Sequence, residues 1–378
     1  MKLFNRLLKL LSVIAEMEAK AMVWDRRDSR GNGIWDRPGF RGCAALIALL
    51  FGAGIGARII NPAFANDQLE MLEFSRTWAW IYDEQMPLYA WISTALLRTF
   101  GETVIVLEAL KLVFVSSAVV FIWKAADELQ PGSGIFAVAL AMVMPTVSDD
   151  ALGEITHSAA LLAFSAASVW MTIRVLDRDA GCRAITWLAM GAIWGAGVWF
   201  KHTMLLVAVA QSLVLLVHAH RSCDVRQSMG VFTAIAVMFL MIFPFYVITL
   251  FHAPIVTAGL EEFFQDRNVW LDALTSPLAE GGLLIVAASW SLFAHKTLPR
   301  TQSLLALSAL VFVVVLTALV ISYGADVIRD RWLAPGLLAL VPAGASVAPV
   351  DRTWARHIAW GFVVIIIVNR AADTAFSV

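Results

Sequence analysis

Residues 229–251 read MGVFTAIAVMFLMIFPFYVITLF, an apolar run without one charged side chain. At 1.5 Å per residue this helix would be about 35 Å long, enough to cross a ~30 Å hydrocarbon core. In water, a helix apolar on every side would need a protein coat all round. Apolar runs bounded by charge recur on both sides of it, at approximately 42–60, 103–123, 133–147, 156–173, 184–200, 203–219, 279–294, 303–322, 332–348 and 357–369. Composition points the same way. The 378 residues are 60% hydrophobic and 15% charged, with a mean hydropathy of +0.76, whereas soluble domains carry roughly 25% charged residues. The expected fold class is therefore all-α, a polytopic transmembrane helical bundle of about eleven spans.

Lysine and arginine set the expected orientation. With the N-terminus in the cytoplasm, the inner segments 1–41, 124–132, 174–183, 220–228, 295–302 and 349–356 hold 19 of the 28 basic residues. The runs 184–200 and 203–219 meet at Lys201-His202 and read as a helical hairpin; a single long bent segment, the alternative, would invert everything downstream. Residues 1–41 form a cytoplasmic extension in which Leu3, Leu7, Leu8, Leu11 and Ile14 lie opposite Lys2, Arg6 and Lys9. That is the pattern of a helix lying on a membrane surface, with an unstructured extension as the alternative. The transmembrane domain is 42–378, with outer loops at 61–102 and 252–278 and no soluble C-terminal domain expected. The first outer loop has an amphipathic stretch, and Phe74, Trp78, Trp80, Ile81 and Trp91 suit the membrane interface.

A net charge of −1 removes the basic footprint of a nucleic-acid binder. The three cysteines suggest neither a disulfide nor a zinc site.

Chemistry-bearing side chains gather where the chain leaves the membrane on the outer side. They are Asn66-Asp67-Gln68, Asp83-Glu84-Gln85, Ser148-Asp149-Asp150, Thr156-His157, Lys201-His202 and Arg329-Asp330-Arg331. Carboxylates suit proton abstraction from a hydroxyl, and cations suit a leaving phosphate in a partly dry pocket. Each also has a plain structural reading. Asp67 could be solvated at a span end, Asp150 or Thr156 could cap a helix, Lys201 could snorkel, His202 could sit satisfied in the bundle, and Arg329 with Asp330 could be a surface ion pair. Asp67, Glu84 and Asp150 could bind a divalent cation, although no ligand spacing requires one.

Taken together, these motifs resemble the GT-C superfamily of polyprenyl-phosphate-sugar glycosyltransferases, in the bacterial branch related to protein O-mannosyltransferases and lipid A aminoarabinose transferases. The resemblance rests on Asn66-Asp67-Gln68, where the family has Asp-Glu; on Gln85-Met86-Pro87-Leu88-Tyr89-Ala90-Trp91 followed by Phe100-Gly101; on Thr156-His157-Ser158; on the run from Gly195 to Thr203 through Lys201-His202; and on Arg331-Trp332-Leu333-Ala334-Pro335. It covers roughly residues 42–350. It implies Asp67 and Glu84 as catalytic carboxylates, with Lys201, His202, Arg329 and Arg331 binding the donor phosphate. Asp150, His157 and Gln85 would line the same cavity.

Gln68 replaces the family's glutamate, and Met86 replaces the first proline of a pair, which frees one backbone N–H. The resemblance implies transfer of a sugar from a polyprenyl-phosphate donor to a glycan, lipid or protein acceptor on the periplasmic face of a bacterial inner membrane. A multi-span transporter or lipid flippase is the alternative from another class; against it stand the long first outer loop and the lack of evident broken-helix repeats. A non-catalytic paralogue is the third.

Overall fold

The computed structural model describes residues 38–80, 82, 86–152, 157–176, 184–251, 300–323, 330–346, 348 and 350–376. The N-terminal stretch 1–37 and the expected span 279–294 lie outside the described residues. Helices in chain order are α1 (Pro38–Ile60), α2 (Asn66–Phe74), α3 (Pro87–Phe100), α4 (Val104–Leu129), α5 (Gly134–Ala141), α6 (His157–Leu176), α7 (Ala184–Phe200), α8 (Thr203–Arg221), α9 (Val225–Phe251), α10 (Arg300–Tyr323), α11 (Asp330–Leu337), α12 (Leu340–Ala345) and α13 (Thr353–Phe376). A π-helical turn, Thr146–Ala151, follows α5. Among the described residues seven helices are long and apolar enough to cross a membrane, and α7 is a shorter apolar helix.

Two expected spans are interrupted. The third is α5 plus the π-turn, with Pro145 between them, and the tenth is α11 plus α12. Proline has no N–H to continue a helical ladder and clashes with the preceding turn, so helices break or widen where it sits. Here Pro145 precedes the π-turn, while Pro335 and Pro342 fall in α11 and α12. The two broken spans pack side by side, α12 on α5 and α11 on the π-turn. Beside the first break lies an apolar cavity lined by Val119, Ile122, Val138, Met142, Val147 and Leu338, among others. Interrupted helices were not expected from the sequence. Among the described residues the lining of this cavity is apolar.

The hairpin reading of 184–219 matches the structure. α7 ends at Phe200, α8 begins at Thr203, and Trp194 Nε1 of α7 donates to Gln211 Oε1 of α8 at 2.9 Å. α4 packs most extensively on α6, and α7 on α9. The α7–α9 contact is built from small residues. A Cβ at Gly191 would lie 2.4 Å from the Ala234 carbonyl oxygen, and one at Gly230 would lie 2.2 Å from Trp187 Cε2. In a bilayer, where water does not drive helices together, such close backbone approach supplies the packing.

The first outer loop holds two helices, α2 and α3, as its amphipathic stretch suggested. Gln68, the third residue of α2, reaches back to accept a hydrogen bond from the Ala65 N–H at 3.1 Å, the reciprocal half of a capping box. Met86 is the buried N-cap of α3, and Pro87 occupies the first turn, where its missing N–H costs nothing. A satellite core apart from the main bundle core ties this loop down. It joins Met71 of α2, Tyr89 and Leu97 of α3, Leu107 and Leu110 of α4, Ala160 of α6 and Phe200 of α7. The aromatic residues expected at the interface divide. Trp78 and Trp80 are exposed, while Trp91 packs edge-on to Trp80 at 5.0 Å and against Trp199 at 5.7 Å.

Candidate active site

The satellite core marks one end of the bundle, here called the loop end. Asp67 lies in the first turn of α2, where its negative charge complements the helix dipole, and its side chain is half-buried. Lys201 follows Phe200, a member of the same satellite core, and its Nζ donates to Ser158 Oγ in the first turn of α6 at 3.0 Å. Met71, one turn after Asp67, and Phe200, next to Lys201, thus share one apolar cluster although 134 positions separate Asp67 from Lys201 in the chain.

Lys201 and His202 do not act as a unit. Lys201 turns to α6, whereas His202 Nδ1 lies 3.2 Å from Tyr246 Oη of α9. The imidazole sits 5.9 Å from the Phe245 ring and 6.0 Å from the Tyr246 ring. It keeps an open edge, but burial among these rings lowers its pKa from the ordinary 6.5, so the neutral form is favoured. A neutral imidazole is a weaker phosphate partner than the sequence suggested, and it can serve as a hydrogen-bond donor or acceptor.

The expected residues Glu84, Gln85 and Arg329 lie outside the described residues. Asp150, His157 and Arg331 have described backbones at the loop end, in the π-turn, at the start of α6 and at the start of α11. Their side chains lie outside the described part. The π-turn packs against α11, which brings the Asp150 and Arg331 backbones onto neighbouring elements. Asp149 is ion-paired with Arg370 of α13, and Arg370 also bonds Asp373. Among the described residues no three His, Cys, Asp or Glu side chains converge as a metal cluster.

The largest departure from the sequence reading is a buried ionic cluster. Glu108 of α4 is 2% exposed, and its carboxylate takes three donors. Oε1 receives Lys111 Nζ at 2.9 Å; Oε2 receives Arg58 Nε at 3.2 Å and Gln68 Nε2 at 3.4 Å. Arg58 and Lys111 are themselves buried, at 4% and 0% exposed. Arg58 Nη1 also donates to the Ala63 carbonyl at 3.1 Å, and Lys111 Nζ to the Leu152 carbonyl at 3.1 Å. Close approach of α1 to α4 makes this possible, since a Cβ at Gly54 would sit 2.9 Å from Leu112 Cδ1 and 3.4 Å from Glu108 Oε1. Glu108 and Arg370 both line a narrow crevice between α1, α4 and α13. The signal in the sequence was Glu108 and Lys111 at i, i+3 inside an apolar run, because charges within a span are rarely idle.

Gln68 now has a physical account. Its amide donates to Glu108 and its carbonyl caps α2. A glutamate there would set a second carboxylate against Glu108 in a buried site.

Residues 84–248 match the family described as dolichyl-phosphate-mannose-protein mannosyltransferase. The chain is similar to the lipopolysaccharide core galacturonosyltransferase RgtA of Rhizobium johnstonii, with 26% identity over 326 residues, 78% of this chain and 62% of the relative. It therefore spans about three fifths of the length of that curated relative. Among solved structures it is similar to ArnT from Cupriavidus metallidurans bound to undecaprenyl phosphate, with a TM-score of 0.61 and 15% identity, covering 83% of this chain and 62% of that one. The apo form of ArnT gives a TM-score of 0.62, also at 15% identity, over 83% of this chain and 61% of that one.

Proposed function

We propose that this chain, a multi-span membrane protein with the ArnT-like GT-C fold, is a glycosyltransferase that moves a sugar from a polyprenyl-phosphate donor to a glycolipid acceptor. What supports the reading is the satellite core at the loop end, which joins Met71, one turn after Asp67, to Phe200, the neighbour of Lys201, in a fold shared with a protein solved with undecaprenyl phosphate. The galacturonosyl transfer named for RgtA makes an undecaprenyl-phosphate-linked galacturonic acid the donor to try first, with lipopolysaccharide core as acceptor.

In the proposed step an acceptor hydroxyl oxygen attacks the anomeric carbon while the bond from that carbon to the phosphate oxygen breaks. The electron pair leaves on the polyprenyl phosphate. Asp67 takes the hydroxyl proton, so a single displacement inverts the anomeric centre. Lys201 and Arg331 offset the charge that develops on the phosphate. In this reading Glu84 is the second carboxylate, Arg329 joins the donor-phosphate partners, His202 contributes as a neutral hydrogen-bonding ring, and Asp150, His157 and Gln85 are assigned to the lining of the same site. The loop end faces the periplasm and the N-terminus the cytoplasm of a bacterial inner membrane, a reading supported by the excess of Lys and Arg on the opposite side.

Asp67→Asn keeps the size of the side chain and removes the base. It should cut turnover of the lipid-linked galacturonic acid by about 10² to 10⁴ in reconstituted vesicles, with the protein still inserted and folded. Turnover equal to the parent would take Asp67 out of the mechanism.

A further inference from the structure

We propose that Glu108 is a positioning residue that fixes Asp67 against the Asp149–Leu152 segment through one shared carboxylate. The inference rests on the reading above, in which Asp67 works at the reaction centre. Three spokes leave Glu108. Gln68, directly after Asp67, donates to Oε2. Arg58 donates to the same oxygen and to the Ala63 carbonyl, so it holds the chain entering α2. Lys111 donates to Oε1 and to the Leu152 carbonyl at the end of the π-turn. The backbone on both sides of the candidate site is therefore anchored to a single side chain inside the bundle.

Burial gives this arrangement its rigidity. Arg58, Gln68, Glu108 and Lys111 are all under 5% exposed, so bulk water competes little for the carboxylate. Among the described residues the carboxylate is shared by two cations, and losing it removes the counter-charge they hold in common in a low dielectric. Long, flexible Arg and Lys side chains would then seek other partners and release the carbonyls they hold. Asp67 would remain present but misplaced, and a displacement of about 1 Å can cost about 10²-fold in rate.

Gln68 is matched to this carboxylate. Position 68 and position 108 face each other with one amide and one acid, so the acid can be exchanged between them. Gln68→Glu alone gives two buried carboxylates, and Glu108→Gln alone gives none. Gln68→Glu combined with Glu108→Gln restores one acid at the same place.

The test uses the full chain in nanodiscs, with amide hydrogen exchange read beside turnover of undecaprenyl-phosphate-linked galacturonic acid. Glu108→Gln should speed exchange in both 63–70 and 149–152. It should also lower kcat by about 10²-fold while KM for the donor stays within about twofold, since the substrate's own contacts are kept. The double exchange should recover protection in both segments and most of kcat. If Glu108→Gln does not fold, Gln68→Ala removes one spoke and keeps the ionic triad, and it should loosen 63–70 while leaving 149–152 protected. Unchanged exchange in 63–70 for either variant, or a double variant no better than its worse parent, overturns the proposal. The exchange pattern with no turnover in any form would sink the functional reading and leave the anchoring role standing.

Discussion

Glu108 and Glu128 sit at opposite ends of the same helix, α4, and meet different surroundings. The Glu108 side chain is 3% exposed and is shared by Arg58, Lys111 and Gln68. The Glu128 side chain is 31% exposed, lies 3.4 Å from an Arg174 that is 42% exposed, and accepts the Trp170 indole N–H at 2.9 Å. Lys124 lies over the Trp170 ring at 5.2 Å. Cations and an indole gathered around an open carboxylate are what a membrane interface collects. A carboxylate sealed in with two cations has a different purpose, because desolvating three charges is costly and persists only where the geometry over-determines it. One end of the helix meets a boundary, and the other is the end to which the proposal above gives an anchoring role.

Glu108→Ala is the most severe way to break this contrast. It removes the carboxylate that Arg58 and Lys111 share, and loss of one partner of a buried pair costs about 3–5 kcal/mol. Thermal unfolding in detergent should show a large drop in Tm. A Tm close to the parent's would mean that water already reaches the cluster and that the two ends do not differ in kind.

The sequence displayed the spans well because length and apolarity are local properties. The uncharged 229–251 run and the Lys201-His202 turn between two apolar runs both appear as the structure has them. The interrupted third and tenth spans were harder to read, since the run around Pro145 stays apolar across the break and the period-3.6 pattern carries no signal in a segment buried on every side. The candidate site was legible in part. Asp67 and Lys201 were expected from their place at span ends, and their chain neighbours Met71 and Phe200 share one satellite core. Arg58, Glu108 and Lys111 were passed over because they fall inside spans, although a charged i, i+3 pair in an apolar helix is a signal in itself. Which partner each charge chooses depends on helices far apart in the chain, as with Arg58 of α1 and Glu108 of α4, and spacing alone does not encode that.

His202 sharpens the comparison at the loop end, because it is ionisable yet held by rings instead of opposite charge. Its folded pKa is lowered by burial, so the unfolded chain binds the proton first as pH falls. Stability should decline as pH drops through the unfolded value of 6.5 and stop declining below the lowered folded value. His202→Gln removes that group, so its Tm should change less than the parent's between about pH 7.5 and 5.5. Parallel Tm curves would mean that the ring is as solvated in the folded protein as in the unfolded chain.

Glu128→Gln should have the smallest effect, and it is the control on the whole contrast. The Glu128–Arg174 pair is open to solvent, pays side-chain entropy to form, and is screened by salt, so its loss should cost about 0–1 kcal/mol. The Trp170 indole keeps a partner, because the glutamine carbonyl can still accept its N–H. Tm should shift little, and the shift should shrink further when the salt concentration is raised. A loss matching that of Glu108→Ala would show that the carboxylate at the open end is as tightly held as the buried one, and exposure would no longer separate the two ends of α4.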